Sequence, residues 1–495
     1  MKPKGLFASL STPRLMVAIL LLSIFVMASR EITDPDFWWH LRTGQYICEA
    51  RGIPRRDVFS YTVPDQRWIT HEWLTEIVLY AVYSVSGQEG LVLAFAAIIT
   101  GAFALVYLQC AGRPYLASFV VVWAAITSAI TWGVRPQMLS LLLSATFLYI
   151  LHLYKRGHRK IIWLMPPLML LWVNLHGSFP LGLVFPATYI VGETISNLVG
   201  RDQSRGLAWR DIRLLLLVAL ITAIVTLANP NGVQLLLYPF GTLGSPAMQA
   251  YILEWFSPDF QQIQFQPLAL LIVLTLVSLA LSRRVPGVTE LLFLAGFGWA
   301  ALRSARHIPF FALTVAPILT AQLLDAWRRS RWADRFTMGR PRRGSRNVIV
   351  NWLVLSVLIL GGAAKIGLTF QENAKTQRRV FPVDAVDFTF KQGITGNMYN
   401  LYHWGGYLIW RLYPEQKVFI DGRADVYGDA FIDKYLQAYQ VREDWREPLD
   451  RYDVGFVIID EGSSLSTVLH ESPDWDRRYA DEIATVFVRR EGKIW

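Results

Sequence analysis

Several classes of protein are ruled out by what this sequence lacks. Among its 495 residues only two are cysteine, Cys48 and Cys110. Two cannot build a disulfide framework, and no Cys/His group has zinc-site spacing, so both thiols are expected to be free. Charge is scarce too: 17% of residues are Asp, Glu, Lys or Arg, against about 25% in an average soluble domain. No Gly-x-Gly-x-x-Gly or P-loop stretch occurs, so the usual nucleotide cradles are absent. No repeat of solenoid period is visible. Hydrophobic residues make up 53% of the chain, which excludes disorder.

Apolar sequence is abundant. Runs at 15–29, 90–111, 115–132, 138–154, 161–176, 179–198, 212–229, 267–282, 287–303, 308–327 and 348–369 approach or reach a bilayer-crossing length, for which roughly 17 to 25 residues are needed. The expected fold is a polytopic α-helical membrane protein of about 11 transmembrane helices. The stretch 73–86 carries Glu76 and reads as an amphipathic helix on the membrane surface.

Charge sets the orientation. Lys2, Lys4 and Arg14 precede the first run, which predicts a cytoplasmic N-terminus. Every second connection is then cytoplasmic, and these carry Lys155 to Lys160, Arg201, Arg205, Arg210 and Arg213, Arg283 and Arg284, and the basic run 328–346. Residues 214–282 contain no Lys or Arg at all. Of the 48 basic residues 32 lie before residue 366, with only 17 of the 38 acidic ones. The net charge of +10 is therefore an orientation signal facing anionic membrane lipid, and no nucleic-acid partner is expected. Val26-Met27-Ala28 also fits a signal-peptide cleavage site; on either reading the segment after residue 370 lies outside the cytoplasm. A multi-pass protein of the bacterial inner membrane is expected.

The domain expectation is a transmembrane domain over 1–370, with a first outer loop at 30–89, and an extracytoplasmic α/β domain over 371–495. In the latter, Val418–Ile420, Val454–Ile459 and Thr485–Arg489 read as strands. Pro382–Lys391, Tyr407–Leu412 and Ala430–Tyr439 read as helices.

Chemistry belongs to the outer polar residues. Asp34-Pro35-Asp36 follows the first run directly. Two carboxylates around a proline can bind a divalent cation (Mg or Mn) or move a proton; Asp34 can equally cap the next helix, with Trp38 and Trp39 in an interfacial belt. His71 and Glu72 precede the surface helix, for which Thr70 is a candidate N-cap and Glu72 a first-turn carboxylate. Arg135, Arg303 and Arg306 stand on the side where cations are rare. They suit a phosphate, although pairing with the acidic first loop or snorkelling to headgroups also accounts for them. His176 sits in a turn, as a ligand or a structural histidine. Asp421, Arg423 and Asp425 follow a predicted strand, as ligand groups or as an ion-paired turn.

Together these features resemble the GT-C superfamily of polytopic membrane glycosyltransferases: an Asp-x-Asp after the first span, amphipathic helices in that loop, many spans and an outer α/β domain. The His71-Glu72-Trp73-Leu74 segment is similar to the second half of the loop in protein O-mannosyltransferases. Trp404-Gly405-Gly406-Tyr407 with Asp421 is loosely similar to the Trp-Trp-Asp-Tyr-Gly region of oligosaccharyltransferases, but no Asp follows the second position, so sequon recognition is not carried over. Bacterial GT-C-like proteins of unassigned substrate share the Asp34-Pro35-Asp36 opening and Phe419 to Arg423. The resemblance implies inverting hexosyl or pentosyl transfer from a polyprenyl-phosphate sugar to an extracytoplasmic glycan, lipid or protein. Asp36 would be the general base, Asp34 its support or a cation ligand, and Arg303, Arg306 or Arg135 the phosphate contacts. His71, Glu72, His176, Trp404, Asp421 and Arg423 would be acceptor-side or supporting residues. The rival classes are a lipid-linked sugar transporter, which calls for charge in mid-membrane, and a non-catalytic protein of envelope polysaccharide assembly. Glu193 and Glu290 lie near the cytoplasmic ends of their runs and do not supply that charge.

Overall fold

The computed structural model describes residues 10–200, 206–330 and 345–490. Lys2, Lys4, Arg201, Arg205 and most of the basic run 328–346 fall outside them. In chain order the first helices are α1 (Thr12–Ala28), α2 (Asp36–Ala50), α3 (Trp73–Gln109), α4 (Tyr115–Ser128), α5 (Gln137–Lys155), α6 (Met165–Leu175) and α7 (Leu181–Leu198). There follow α8 (Trp209–Val225), α9 (Val233–Gly244), α10 (Pro246–Tyr251), α11 (Gln266–Leu281), α12 (Val288–Arg303), α13 (Ile308–Arg329) and α14 (Ser345–Val380). The last are α15 (Val383–Gln392), α16 (Gly405–Leu412), α17 (Ala424–Tyr427), α18 (Asp429–Tyr439), α19 (Glu447–Arg451) and α20 (Ser464–Glu471).

Two compact units divide the chain, and neither is contiguous. One comprises 1–30, 92–232 and 253–369; the other comprises 31–91, 233–252 and 370–495. Residues 31–91 thus fall in the same compact unit as 370–495.

The first unit is helical. A helix falls on each of the eleven apolar runs. Prolines in the first turn of α1, α6, α11 and α13 fix φ where no backbone partner is lost. Among the described residues five helices are long and apolar enough to cross a membrane; α1 and Tyr115–Thr131 are apolar but shorter. Helix α14 is the barest, with Ile349, Leu353, Val357 and Leu360 all more than half exposed. An apolar face of that extent suits lipid.

The second unit carries a four-stranded sheet of β1 (Asn397–Asn400), β2 (Val454–Asp460), β3 (Trp475–Ala480) and β4 (Ala484–Arg489). Its order is β1-β2-β4-β3. β1 lies parallel to β2, and the other pairings are antiparallel. β2 is buried almost throughout, as its unbroken apolar run requires. The expected strand at 418–420 does not form. Val418 makes a single parallel bridge to Ser60, and Asn400 holds the rest of the segment, accepting from the Phe419 N–H (2.8 Å) and donating to the Ile420 carbonyl (2.8 Å). A polar side chain substitutes here for a neighbouring strand.

The expected surface helix is the first part of α3, separated from its apolar continuation by a break at Gly87 (φ 64°). The Thr70 hydroxyl, just before it, donates to the Pro54 carbonyl at 2.6 Å. Trp38 and Trp39 are buried, which overturns the interfacial-belt reading. Trp38 packs edge-on against Phe381 and Tyr407, so α2 meets α16 and the end of α14 through aromatic rings.

Gly405 permits a second close approach, that of α16 to the segment 420–421. A Cβ there would stand 2.3 Å from the Ile420 carbonyl oxygen and 2.5 Å from the Asp421 Cα. Backbone on the far side cannot rotate away as a side chain can. Gly405→Ala is expected to destabilise the protein by about 1–3 kcal/mol, read as a lower unfolding temperature of the detergent-solubilised full chain.

Candidate functional site

All of the site described first lies in the second unit. Asp34 accepts the Asp36 N–H at 2.9 Å, closing the turn through Pro35. Asp36 is the first residue of α2, where the helix dipole favours a carboxylate. Its Oδ1 accepts the Trp39 indole N–H at 3.0 Å. A Cβ on Gly422 would fall 1.9 Å from that same Oδ1, so the carboxylate rests against the Gly422 backbone and a side chain there would displace it. The Tyr402 hydroxyl donates to the Gly422 carbonyl at 3.2 Å; burial first, then the Asp36 carboxylate, holds that phenol well above its ordinary pKa. The two short motifs, Asp34-Pro35-Asp36 and Asp421-Gly422-Arg423, therefore converge.

Arg423 stands behind this contact, 2% exposed. It donates from Nε to Asp421 Oδ1 at 2.7 Å and from Nη2 to Oδ2 at 2.6 Å. Its Nη1 forms an ion pair with Asp57 at 2.8 Å. Trp68 and Phe59 lie 4.5 and 5.1 Å from the guanidinium carbon, an aromatic enclosure that suits Arg more than Lys. Tyr427 donates its hydroxyl to Asp421 Oδ2 at 2.6 Å, and Asp57 accepts from the backbone of Ser60 at 2.9 Å. Asp421 and Arg423 are thus an ion-paired turn, as one sequence reading had it, extended by Asp57.

A buried imidazole–carboxylate chain runs beside them. His40 faces Glu72 from Nε2 at 3.3 Å and Glu76 from Nδ1 at 3.2 Å. His71 Nε2 reaches the other oxygen of Glu72 at 3.5 Å. Burial would lower the His71 pKa, but Glu72 and then Asp425 outweigh it and hold it above its usual value. Burial raises Asp425, which His71 and Arg423 only partly offset. His71 also stacks on Tyr238 at 4.5 Å between ring centroids, beside a cavity of about 710 Å³ lined by Gln66, Gln234, Tyr238, Ser245, Asp425 and Asp429.

Donor atoms of His40, Glu72 and Glu76 lie within 4.8 Å of one another. Glu76 Oε2 is buried with no hydrogen-bond partner among the described residues. Among the described residues this is a set able to hold a cation. One imidazole with two carboxylates suits Mn or Zn more than Mg. One oxygen each of Asp34 and Asp36, the pair expected from sequence, already accepts a hydrogen bond.

The remaining expected residues belong to the first unit, except Trp404. Arg135 pairs with Glu254 at 2.5 Å. Arg306 covers the Trp255 ring at 4.4 Å, and Arg303 covers Trp299 at 5.6 Å. Burial would raise the Glu254 carboxyl, but Arg135 and Arg306 hold it below its ordinary range. His176 Nδ1 accepts from Ser178 N–H at 3.1 Å and faces the Ser140 hydroxyl at 2.8 Å. Trp404 is buried, its indole donating to the Val380 carbonyl at 2.9 Å.

His40, Asp57, Trp68, Glu76 and Tyr427 were not singled out from sequence. His40 follows Asp36 by four residues on α2, and Glu72 and Glu76 share the same spacing, so helical periodicity was the available signal. Asp57 had none.

No family model matches the chain, and no curated protein does. Solved structures match its fold, and these neighbours are GT-C glycosyltransferases. The oligosaccharyltransferase AglB of Archaeoglobus fulgidus, solved with an inhibitory peptide and dolichol-phosphate, matches with a TM-score of 0.51 at 12% identity, over 90% of this chain and 69% of its own. ArnT of Cupriavidus metallidurans, solved with undecaprenyl phosphate, matches at 0.52 and 13%, over 96% and 98%. The mycobacterial arabinofuranosyltransferase AftD matches at 0.50 and 12%, over 98% of this chain but 40% of its own. At such identities the likeness is one of fold.

Arg423→Met leaves two buried carboxylates unpaired. It is expected to cost about 3–5 kcal/mol of stability, measured by thermal unfolding, with Arg423→Lys falling between it and the parent.

Proposed function

We propose that this protein is a membrane glycosyltransferase that moves a sugar from a polyprenyl-phosphate donor to a hydroxyl-bearing acceptor outside the cytoplasm. The observation that carries this reading is the Asp36 carboxylate, held at the start of α2 by Trp39 and seated against Gly422. A carboxylate fixed in this way is suited to accept a proton, because its orientation needs no rearrangement during reaction. The fold shared with AglB, ArnT and AftD supports the reaction class.

In this mechanism Asp36 takes the proton of the acceptor hydroxyl as its oxygen attacks the anomeric carbon. The bond from that carbon to the phosphate oxygen breaks, and polyprenyl phosphate leaves with the electron pair. Attack opposite the leaving group inverts the anomeric centre. Arg303, Arg306 and Arg135 are the proposed phosphate contacts, since a guanidinium meets phosphate oxygens in a planar fork. Arg135 and Arg306 both act on the Glu254 carboxylate, which places them close to one another. Asp34 orients Asp36 through its backbone N–H.

His40, Glu72 and Glu76 would hold a divalent cation, whose contribution when bound is positive charge close to the donor or acceptor oxygens. Full-length protein purified without chelator is expected to carry a transition metal by elemental analysis, and His40→Ala and Glu76→Gln to weaken its binding by at least the roughly 10–100-fold that loss of an outer-shell partner alone costs. Equal metal content in all three proteins would remove the cation from the proposal.

Asp36→Asn keeps the shape and removes the base. It is expected to reduce transfer by at least about 100-fold while protein level and polyprenyl-phosphate binding stay unchanged. The measurement is mass spectrometry of surface glycans and lipid-linked sugars in the deletion strain, complemented with parent or variant. Near-parental transfer in Asp36→Asn would overturn the assignment.

A further inference from the structure

A second cavity, of about 1030 Å³, lies wholly within the first unit among α5, α7, α12 and α13. Six basic side chains line it: Lys155, Arg156, Arg283, Arg284, Arg328 and Arg329. Among the described residues only three have carboxylate partners. Lys155 pairs with Glu193 at 2.5 Å, Arg284 with Glu290 at 2.6 Å, and Arg329 with Asp325 at 3.0 Å. These carboxylates are otherwise occupied. Glu193 accepts from Thr289 at 2.8 Å and from the Leu207 N–H at 2.9 Å, and Asp325 accepts from Ser282 at 3.0 Å. The guanidinium groups of Arg156, Arg283 and Arg328 have no hydrogen bond or ion pair among the described residues. Orientation bias accounts for cations spread through these connections, but not for three unpaired ones converging on a single concavity.

The cavity is amphipathic. Leu148, Phe293, Leu313 and Ile318 line it as well. A basic opening joined to apolar walls between helices is the form that takes a phosphate headgroup with part of its chain. We infer that this cavity binds a phosphate-bearing ligand through Arg156, Arg283 and Arg328. The apolar walls favour an anionic lipid as the source of that phosphate over a free phosphate ion. This inference does not rest on the transfer reaction proposed above, whose residues lie elsewhere.

The experiment uses the full-length protein in mixed micelles of cardiolipin and phosphatidylcholine, with bound lipid counted by native mass spectrometry. Cardiolipin is expected to be retained over phosphatidylcholine by at least about tenfold. Arg283→Glu combined with Arg328→Glu is expected to remove that preference, and Arg156→Glu alone to reduce it. Arg213→Glu changes an exposed cation that does not line the cavity, and is expected to leave the preference intact. Unfolding temperatures of all variants separate loss of binding from loss of fold. A parallel titration with inorganic phosphate distinguishes the sources. Saturable phosphate binding that is lost in the double variant, without lipid preference, assigns the site to free phosphate. Equal retention of both lipids with no phosphate binding, or equal loss in Arg213→Glu, overturns the inference.

Discussion

The second unit depends on one buried cation. Arg423 sits between Asp57 and Asp421, within 2.8 Å of each, and its flat faces are closed off by Trp68 and Phe59. Asp57 belongs to the loop after α2, and Asp421 to the segment after Val418. One guanidinium therefore ties two parts of the chain that share almost no regular secondary structure, only the single bridge from Ser60 to Val418. Taking three charges out of water is costly, so the hydrogen bonds from Tyr427 and Ser60 are part of the construction. With Arg423 in place Gly422 is fixed, and Gly422 is the surface on which Asp36 rests.

The same segment illustrates how polar side chains replace secondary structure here. Asn400, at the end of β1, satisfies both the Phe419 N–H and the Ile420 carbonyl, groups that a neighbouring strand would otherwise bond. The consequence is positional: Asp421, Gly422 and Arg423 leave a pinned backbone, not a free loop. Tyr402 reinforces it through the Gly422 carbonyl. Buried polar groups that are all satisfied specify one arrangement more sharply than apolar packing does.

How much of this could be read from sequence varies by level. The eleven apolar runs found their helices because burial in lipid or protein demands the same residues. β2 was legible for the same reason, as an unbroken run from Val454 to Ile459. Asp34, Asp36, Asp421 and Arg423 were visible because short polar motifs stand out between apolar runs. The 418–420 segment was misread because an apolar triplet looks alike whether a strand or an Asn side chain receives its backbone. Trp38 and Trp39 were misplaced because an aromatic pair beside a span fits an interface as well as it fits a core, and the deciding partners, Phe381 and Tyr407, lie more than 340 residues away in sequence. Asp57 was invisible for that reason too.

That separation in sequence also sets an order in time. Asp57 emerges early in synthesis, and Arg423 follows about 366 residues later, after the intervening helices have been made. At 5–20 residues per second the interval is about 20–70 seconds. Throughout it Asp57 has no cationic partner from the C-terminal segment, and α2 lacks the Gly422 surface. The second unit is thus completed by its last-made segment, closing around a loop that has waited since the first helix. A chain released before residue 423 would hold the apolar helices of the first unit but lack the Arg423 tie, so the contacts around Asp57 form only once the chain is nearly complete.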